Sequence, residues 1–163
     1  MTEIEVRPAG PADADALTDL YWRCRHAAVP AIPPPVHSRS DTAAWMRDIV
    51  LVERRTWLAA RAGRVLGMLV LDTPDWVDQL YVDPEVQGRG GGTRLLALGL
   101  SELGGRARLW CFESNVDARR FYERHGFVAV ARTAGDNEEG APDVLYVYRS
   151  RLPDMTEPPS PRG

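Results

Sequence analysis

The sequence predicts one mixed α/β domain: a mostly antiparallel central sheet that contains a parallel strand pair and is flanked by about four helices. Three observations predict it. Seven short apolar runs are bounded by turn residues, and four segments place apolar residues at three- and four-residue spacing. The stretch from 76 to 112 reads strand, helix, strand, a crossover long enough to set its two strands parallel. With 163 residues, a single core is the expectation.

In chain order, Ile4-Glu5-Val6-Arg7 alternates apolar and polar residues, and Pro8 ends this first strand by removing a donor. Asp13 or a neighbour caps a helix from about Pro11 to Ala28, with Ala14, Leu17, Leu20, Tyr21 and Cys24 in one stripe. Prolines at 30, 33, 34 and 35 impose an extended loop, either a spacer or a wall of an acceptor pocket. Ser40 or Asp41 opens a second helix that turns Ala44, Trp45, Ile49 and Val50 inward. The runs 56–60 and 65–71, joined through Ala62-Gly63-Arg64, form a hairpin, and a third strand covers Trp76 to Val82. A leucine-rich helix spans Thr93 to Leu103 and stops at Gly104-Gly105. A strand at 107–112, a short helix at 116–125 and strands at 127–133 and 144–149 complete the domain, expected to occupy residues 1–152. The tail 153–163, with four prolines, is expected to be disordered.

Composition excludes several classes of function. Twenty Lys+Arg against 23 Asp+Glu leave a formal charge of -3, so no basic surface points to nucleic acid or to an anionic membrane. The N-terminal residues carry no signal-peptide pattern and no run reaches the length of a membrane span, so a cytoplasmic location is expected. Cys24 and Cys111, with histidines only at 26, 37 and 125, match no metal-ligand spacing; no metal is expected. The expected partner is a small molecule or a peptide end.

The most informative segment runs from Leu80 to Leu96. A strand ends at Asp83-Pro84, four glycines fall within Gly88 to Gly92, and a helix follows at once. Glycine permits the dihedrals that turn successive N–H groups into one concavity, and a helix start adds unpaired N–H groups and a positive dipole end. That is an anion site. A nucleoside triphosphate loop requires Gly-Lys-Ser/Thr, whereas Gly92-Thr93-Arg94 lacks the lysine. A dinucleotide fingerprint meets Thr93 or Leu95 where its third glycine belongs.

Gln87-Gly88-Arg89-Gly90-Gly91-Gly92 resembles the pyrophosphate loop of the GNAT N-acetyltransferases, Gln/Arg-x-x-Gly-x-Gly/Ala, and follows the Val-Asp-Pro-Glu lead-in usual there. Asn115-Val116-Asp117-Ala118-Arg119-Arg120-Phe121-Tyr122, continuing to Gly126-Phe127, is similar to that superfamily's second signature. Together with the element order, the resemblance covers about residues 3 to 150. Gly91 departs from it, standing where an apolar residue is usual.

The resemblance implies a GNAT fold whose parallel strands splay apart, with acetyl-CoA as co-substrate in the opening. Leu80, Tyr81 and Val82 would pair through main chain with the pantetheine amides, and Gln87, Gly88, Arg89, Gly90, Gly91, Gly92 and Thr93 would hold the pyrophosphate, Arg94 adding charge nearby. Asn115 would serve the pantetheine arm, its helix cap, or both. Tyr122 would protonate the departing sulfur, although a buried tyrosine is also a common structural residue. Asp78 and Glu113 are the candidates for taking the proton of the acceptor amine, directly or through water. The implied activity is acetyl transfer to a primary amine of a small molecule or peptide by direct attack in a ternary complex. Cys111 as an acetyl carrier lacks a nearby histidine in sequence. A non-catalytic acyl-CoA-binding module is the alternative, a homodimer through sheet edges is compatible with the pattern, and Tyr21, Trp22, Arg25, His37, Trp45 and Glu138-Glu139 are candidate acceptor-side residues.

Overall fold

A computed structural model of the chain describes residues 3–149. The expected tail 153–163 and the proposed boundary at 152 lie outside them. Seven strands form one sheet in the order β1-β2-β3-β4-β5-β7-β6. They are β1 Glu5–Pro8, β2 Arg55–Arg61, β3 Arg64–Asp72, β4 Trp76–Val82, β5 Arg108–Phe112, β6 Phe127–Thr133 and β7 Asp143–Tyr148. Every neighbouring pair is antiparallel except β4 and β5, as the crossover predicts.

The helices are α1 Ala14–Ala27, α2 Arg39–Trp45, α3 Leu51–Glu53, α4 Gly91–Glu102 and α5 Val116–Arg124. A π-helical turn, Met46–Val50, fuses α2 and α3 into one body, leaving four helical bodies around the sheet. No helix among the described residues is long and apolar enough to cross a membrane.

The sheet is covered on both faces, and β3 shows why its sequence is continuously apolar. Met68 and Val70 point toward α1 and α2, where they meet Leu17, Leu20, Met46, Val50 and Leu58. Leu69 and Leu71 point the other way, toward Leu95 and Leu96 of α4 and on to Leu109, Phe127, Val144 and Tyr146. A strand buried on both sides loses the period-two signal. Each fully buried leucine contributes about 1.5–3 kcal/mol, so these two layers fix α4 against β3 and β4.

Three helix starts differ from expectation. Ser38, not Ser40 or Asp41, caps α2 by accepting the Asp41 N–H at 3.1 Å. The buried face then falls on Thr42, Met46 and Val50, while Ala44, Trp45 and Ile49 are half-buried, because the π turn rotates the stripe. Asp13 stands at the N-cap of α1 without a side-chain bond into that helix; its carboxylate instead accepts the Gly10 N–H at 2.8 Å, closing the 3-10 turn Pro11–Asp13 that leads into α1, and pairs with Arg7 at 2.8 Å. Finally, α4 begins at Gly91 instead of Thr93, inside the glycine run.

Candidate active site

The opening between β4 and β5 is visible in the ladder itself. Their only registered pair is Trp76 with Arg108, held by the Arg108 N–H to the Asp75 carbonyl at 2.9 Å. Beyond it the strands diverge. On the β3 side, Val70 pairs with Gln79 and Leu71 with Val77, leaving Asp78 as an unpaired bulge residue. The Asp83 N–H donates to the Leu66 carbonyl at 2.8 Å, so the main chain at 83 faces β3. Strand alternation then turns Tyr81 to β3, and Leu80 and Val82 toward the opening. The Val82 carbonyl is already taken by Gln87 Nε2 at 3.1 Å and by the Cys24 thiol at 3.4 Å. Leu80 N–H, Leu80 C=O and Val82 N–H remain to pair with an added strand-like ligand. The side chain of Gln87 is thus placed as a brace between strand and loop.

Asp83 anchors the loop from beneath. It is 2% exposed. Its carboxylate accepts the Glu85 N–H at 2.9 Å and pairs with Arg23 at 2.9 Å and Arg64 at 3.6 Å. Burial alone pushes its pKa up, but the Glu85 N–H and the arginines outweigh that and hold it below its ordinary value. Above this anchor, Gly88 and Gly90 have φ of +79° and +85°, a region that costs an L-residue roughly 1–2 kcal/mol. The left-handed Gly90 is the N-cap of α4, and the first helical bond is from the Arg94 N–H to the Gly90 carbonyl at 3.0 Å. The N–H groups of Gly91, Gly92 and Thr93 therefore have no helical acceptor and converge at the positive end of α4.

The opposite wall is α5. Asn115 caps it, its Oδ1 accepting the Ala118 N–H at 3.3 Å, which leaves its amide N–H groups for another partner. Phe121 backs the glycine loop, lying 3.4 Å from where a side chain on Gly92 would begin. His125, unsuspected from sequence, ties α5 to α4: its Nδ1 lies 2.7 Å from the Phe121 carbonyl and its Nε2 3.0 Å from Thr93 Oγ1. Since a carbonyl only accepts, Nδ1 carries the proton, and in the neutral ring Thr93 donates to Nε2.

Tyr122 projects from α5 between the rings of Phe121, Phe127 and Tyr146, with centroids 5.3, 5.6 and 6.3 Å away. Burial, and secondarily Cys111, raises its pKa, so the phenol stays protonated. Its hydroxyl makes no hydrogen bond among the described residues. Tyr81 is raised as well, mainly by burial and next by Tyr21, with Tyr122 a smaller cause. Cys111 is buried and its thiol is pushed up to about 12 by burial, the opposite of an activated nucleophile. Among the described residues no cluster of three metal-ligand side chains forms.

The two base candidates sit differently. Asp78, on the bulge, pairs with Arg54 at 2.9 Å; burial raises its pKa against the pull of Arg54. Glu113, at the end of β5, pairs with Arg132 of β6, and its main-chain carbonyl accepts from Arg119 at 3.2 Å.

On the α1 and α2 face, the expected acceptor side, two loops converge. Arg25 is 6% exposed and donates to Tyr21 Oη at 2.9 Å and the Pro33 carbonyl at 3.2 Å, with Glu139 at 3.5 Å. Tyr21 packs against Tyr81 and Trp45 at centroid distances of 5.3 and 5.5 Å. His37 pairs with Glu138 at 2.9 Å, and Ser114 Oγ donates to the Ala31 carbonyl. The proline-rich loop is thus tied to α1 through Arg25, to Ser114 after β5 and to Glu138 of the β6 to β7 connection. Trp22 stacks on His26 instead, with centroids 4.6 Å apart.

A splayed parallel pair, a strand with free main-chain groups and a glycine loop leading into a helix thus meet at one opening in the sheet. The comparisons give this arrangement a family: residues 14–127 match the model described as "Acetyltransferase (GNAT) family", and the chain belongs to that family. A probable N-acetyltransferase of Mycobacterium tuberculosis is 38% identical over 111 residues, a match spanning 60% of this chain and 62% of that relative's length. The apo form of YjaB from Escherichia coli shares the fold at TM-score 0.72 and 24% identity, over 90% of this chain and 97% of that one. A PaiA N-acetyltransferase from Thermoplasma acidophilum, solved in complex with coenzyme A, does so at TM-score 0.65 and 16% identity, over 91% and 99%.

Proposed function

We propose that the protein is an acetyl-CoA-dependent N-acetyltransferase acting on a primary amine of a small molecule or peptide, by direct attack in a ternary complex. The observation that carries this reading is the opening beside β4, whose free Leu80 and Val82 groups run straight into the unpaired N–H groups of Gly91, Gly92 and Thr93. One ligand that is an extended amide chain at one end and a pyrophosphate at the other fits both. The free amide N–H groups of Asn115 add a donor on the facing wall.

Acetyl-CoA, when bound, supplies a thioester acyl group. The main chain of Leu80 to Val82 orients it and offers an N–H to the acyl oxygen as negative charge grows there. Tyr122, kept protonated by its burial, gives its proton to the leaving sulfur as the C–S bond breaks and the new C–N bond forms. Asp78 or Glu113 takes the proton that the amine nitrogen sheds, directly or through water. Burial raises the pKa of Asp78, which favours it as a proton acceptor, whereas Glu113 lies just past the end of β5. Arg25 shapes the acceptor side by holding Tyr21, the proline loop and Glu139 together.

The test is a calorimetric titration with acetyl-CoA, free CoA, ATP and NAD, followed by thiol-release assays over a panel of amines. Selective binding of the two CoA compounds and amine-dependent thiol release are expected. Absence of CoA binding would overturn the site; binding without turnover on any amine would overturn the catalytic reading.

A further inference from the structure

A cavity of about 300 Å³ lies between the N-terminal turn of α4 and strands β1 to β4. Its floor is apolar: Val6 of β1, Ala59 of β2, Leu66 of β3, Val82 of β4, Val86 and Leu95. None of its lining residues comes from β5 or α5, which form the other wall of the opening, and it meets that opening only at Val82 and the glycine loop Arg89, Gly90 and Gly91. Its rim is cationic, carrying Arg61, Arg89 and Arg94. Neither Arg61 nor Arg89 pairs with a carboxylate among the described residues, and Arg94 donates only to the Ile4 carbonyl at 2.9 Å. The nearest acid on β1, Glu5, alternates onto the other face from Val6. Asp83 and Glu85 are occupied by Arg23 and Arg64.

An apolar floor under three uncompensated guanidinium groups is complementary to one kind of small molecule. We propose that this cavity is a second ligand site for an amphiphilic anion, a single anionic head on an apolar body of about six to ten carbons, since a cavity of roughly 150 Å³ takes one benzene. The body lies on Val6, Ala59 and Leu66, and the head meets the arginines, which bind carboxylates in a bidentate fashion. Arg89, Gly90 and Gly91 line this cavity and also belong to the glycine loop, so the two sites are coupled. By linkage, whatever the anion does to CoA affinity, CoA does equally to the anion's.

Octanoate is the probe, titrated calorimetrically into the full chain, with octanol and octylamine as neutral and cationic controls. Arg61→Glu removes a head contact and Val6→Phe fills the floor; neither residue belongs to the CoA site. Saturable octanoate binding is expected, weakened about tenfold or more by each variant, the loss of one charge-assisted contact, while CoA affinity measured without octanoate is unchanged. Two variants are used so that one that fails to fold leaves the other decisive. No saturable binding, octanol binding as tightly, or octanoate affinity untouched in both folded variants would overturn the proposal. It stands apart from the acetyltransferase reading, because the readout is binding and requires no turnover.

Discussion

The groups that face the opening along β4 and the glycine loop are main-chain N–H and C=O, whereas the proposed acceptor face is made of side chains on α1, α2 and two loops. On the first side, position is set by a strand buried on both faces and by Asp83, at 2% exposure, beneath the loop. On the second, the β6 to β7 connection is held by ion pairs that run from buried, at Arg25 of α1 with Glu139, to open, at His37 of the proline loop with Glu138, which are 58% and 69% exposed. The difference teaches where tolerance lies. A main-chain site is lost when the backbone is forced out of place, while a side-chain site is retuned one residue at a time.

The largest effect should come from breaking the main-chain side. Gly90→Glu puts a side chain at φ +85° and a negative charge on the path of the pyrophosphate. Acetyl-CoA binding, measured by calorimetry, should fall by at least about a hundredfold, with like charge and strain acting together. Affinity within a few fold of the parent would show that the loop does not hold the phosphates. Next, Tyr122→Phe should lower turnover about a hundredfold, the range of a lost general acid, with acetyl-CoA affinity unchanged because the ring contacts persist. Equal turnover would reassign Tyr122 to packing.

Asp83→Asn tests the anchor rather than the ligand groups. Asp83 is buried but its arginine partners are 42% and 54% exposed, so removing its charge should cost about 1–3 kcal/mol by urea unfolding near neutrality, the range of a charge-assisted hydrogen bond. The sign with pH follows from the depressed pKa. In the folded state Asp83 ionises below its ordinary value, so its stabilisation is complete above that value and is lost as pH falls through the folded pKa. The variant should therefore show a flatter acid limb than the parent, and identical acid limbs would remove Asp83 from that role. On the acceptor side, Arg25→Met should raise the acceptor KM about tenfold while acetyl-CoA affinity holds, since Tyr21, Pro33 and Glu139 lose their common donor. A parallel loss of cofactor affinity would mean the two sides are not separable.

The same contrast explains what was legible in the sequence. The β2 to β3 hairpin, the strand at 76–82, the glycine run and α5 were readable because each is a local pattern: apolar runs bounded by turn residues, a run of glycines, a cap. The family match over residues 14–127 bears out the family read from two of those segments. His125 and Asp83 were not readable as site residues, because each acts through partners distant in the chain: Thr93, and the pair Arg23 and Arg64. The early start of α4 was hidden for a related reason. Glycine propensity argues against a helix there, and packing of Leu95 and Leu96 on β3 overrides it.

The smallest effect sharpens the comparison at its open end. His37 and Glu138 join the two acceptor loops, yet both are more than half exposed, so the pair is screened and contributes little to folding. His37→Ala should change unfolding free energy by less than about 0.5 kcal/mol and leave cofactor affinity untouched. If the two loops are held only by the buried Arg25 contacts, the acceptor KM also stays within about twofold. A larger change in KM, with stability constant, would place the latch at the loop tips, and the acceptor face would then be gated by an exposed pair instead of set by a buried one.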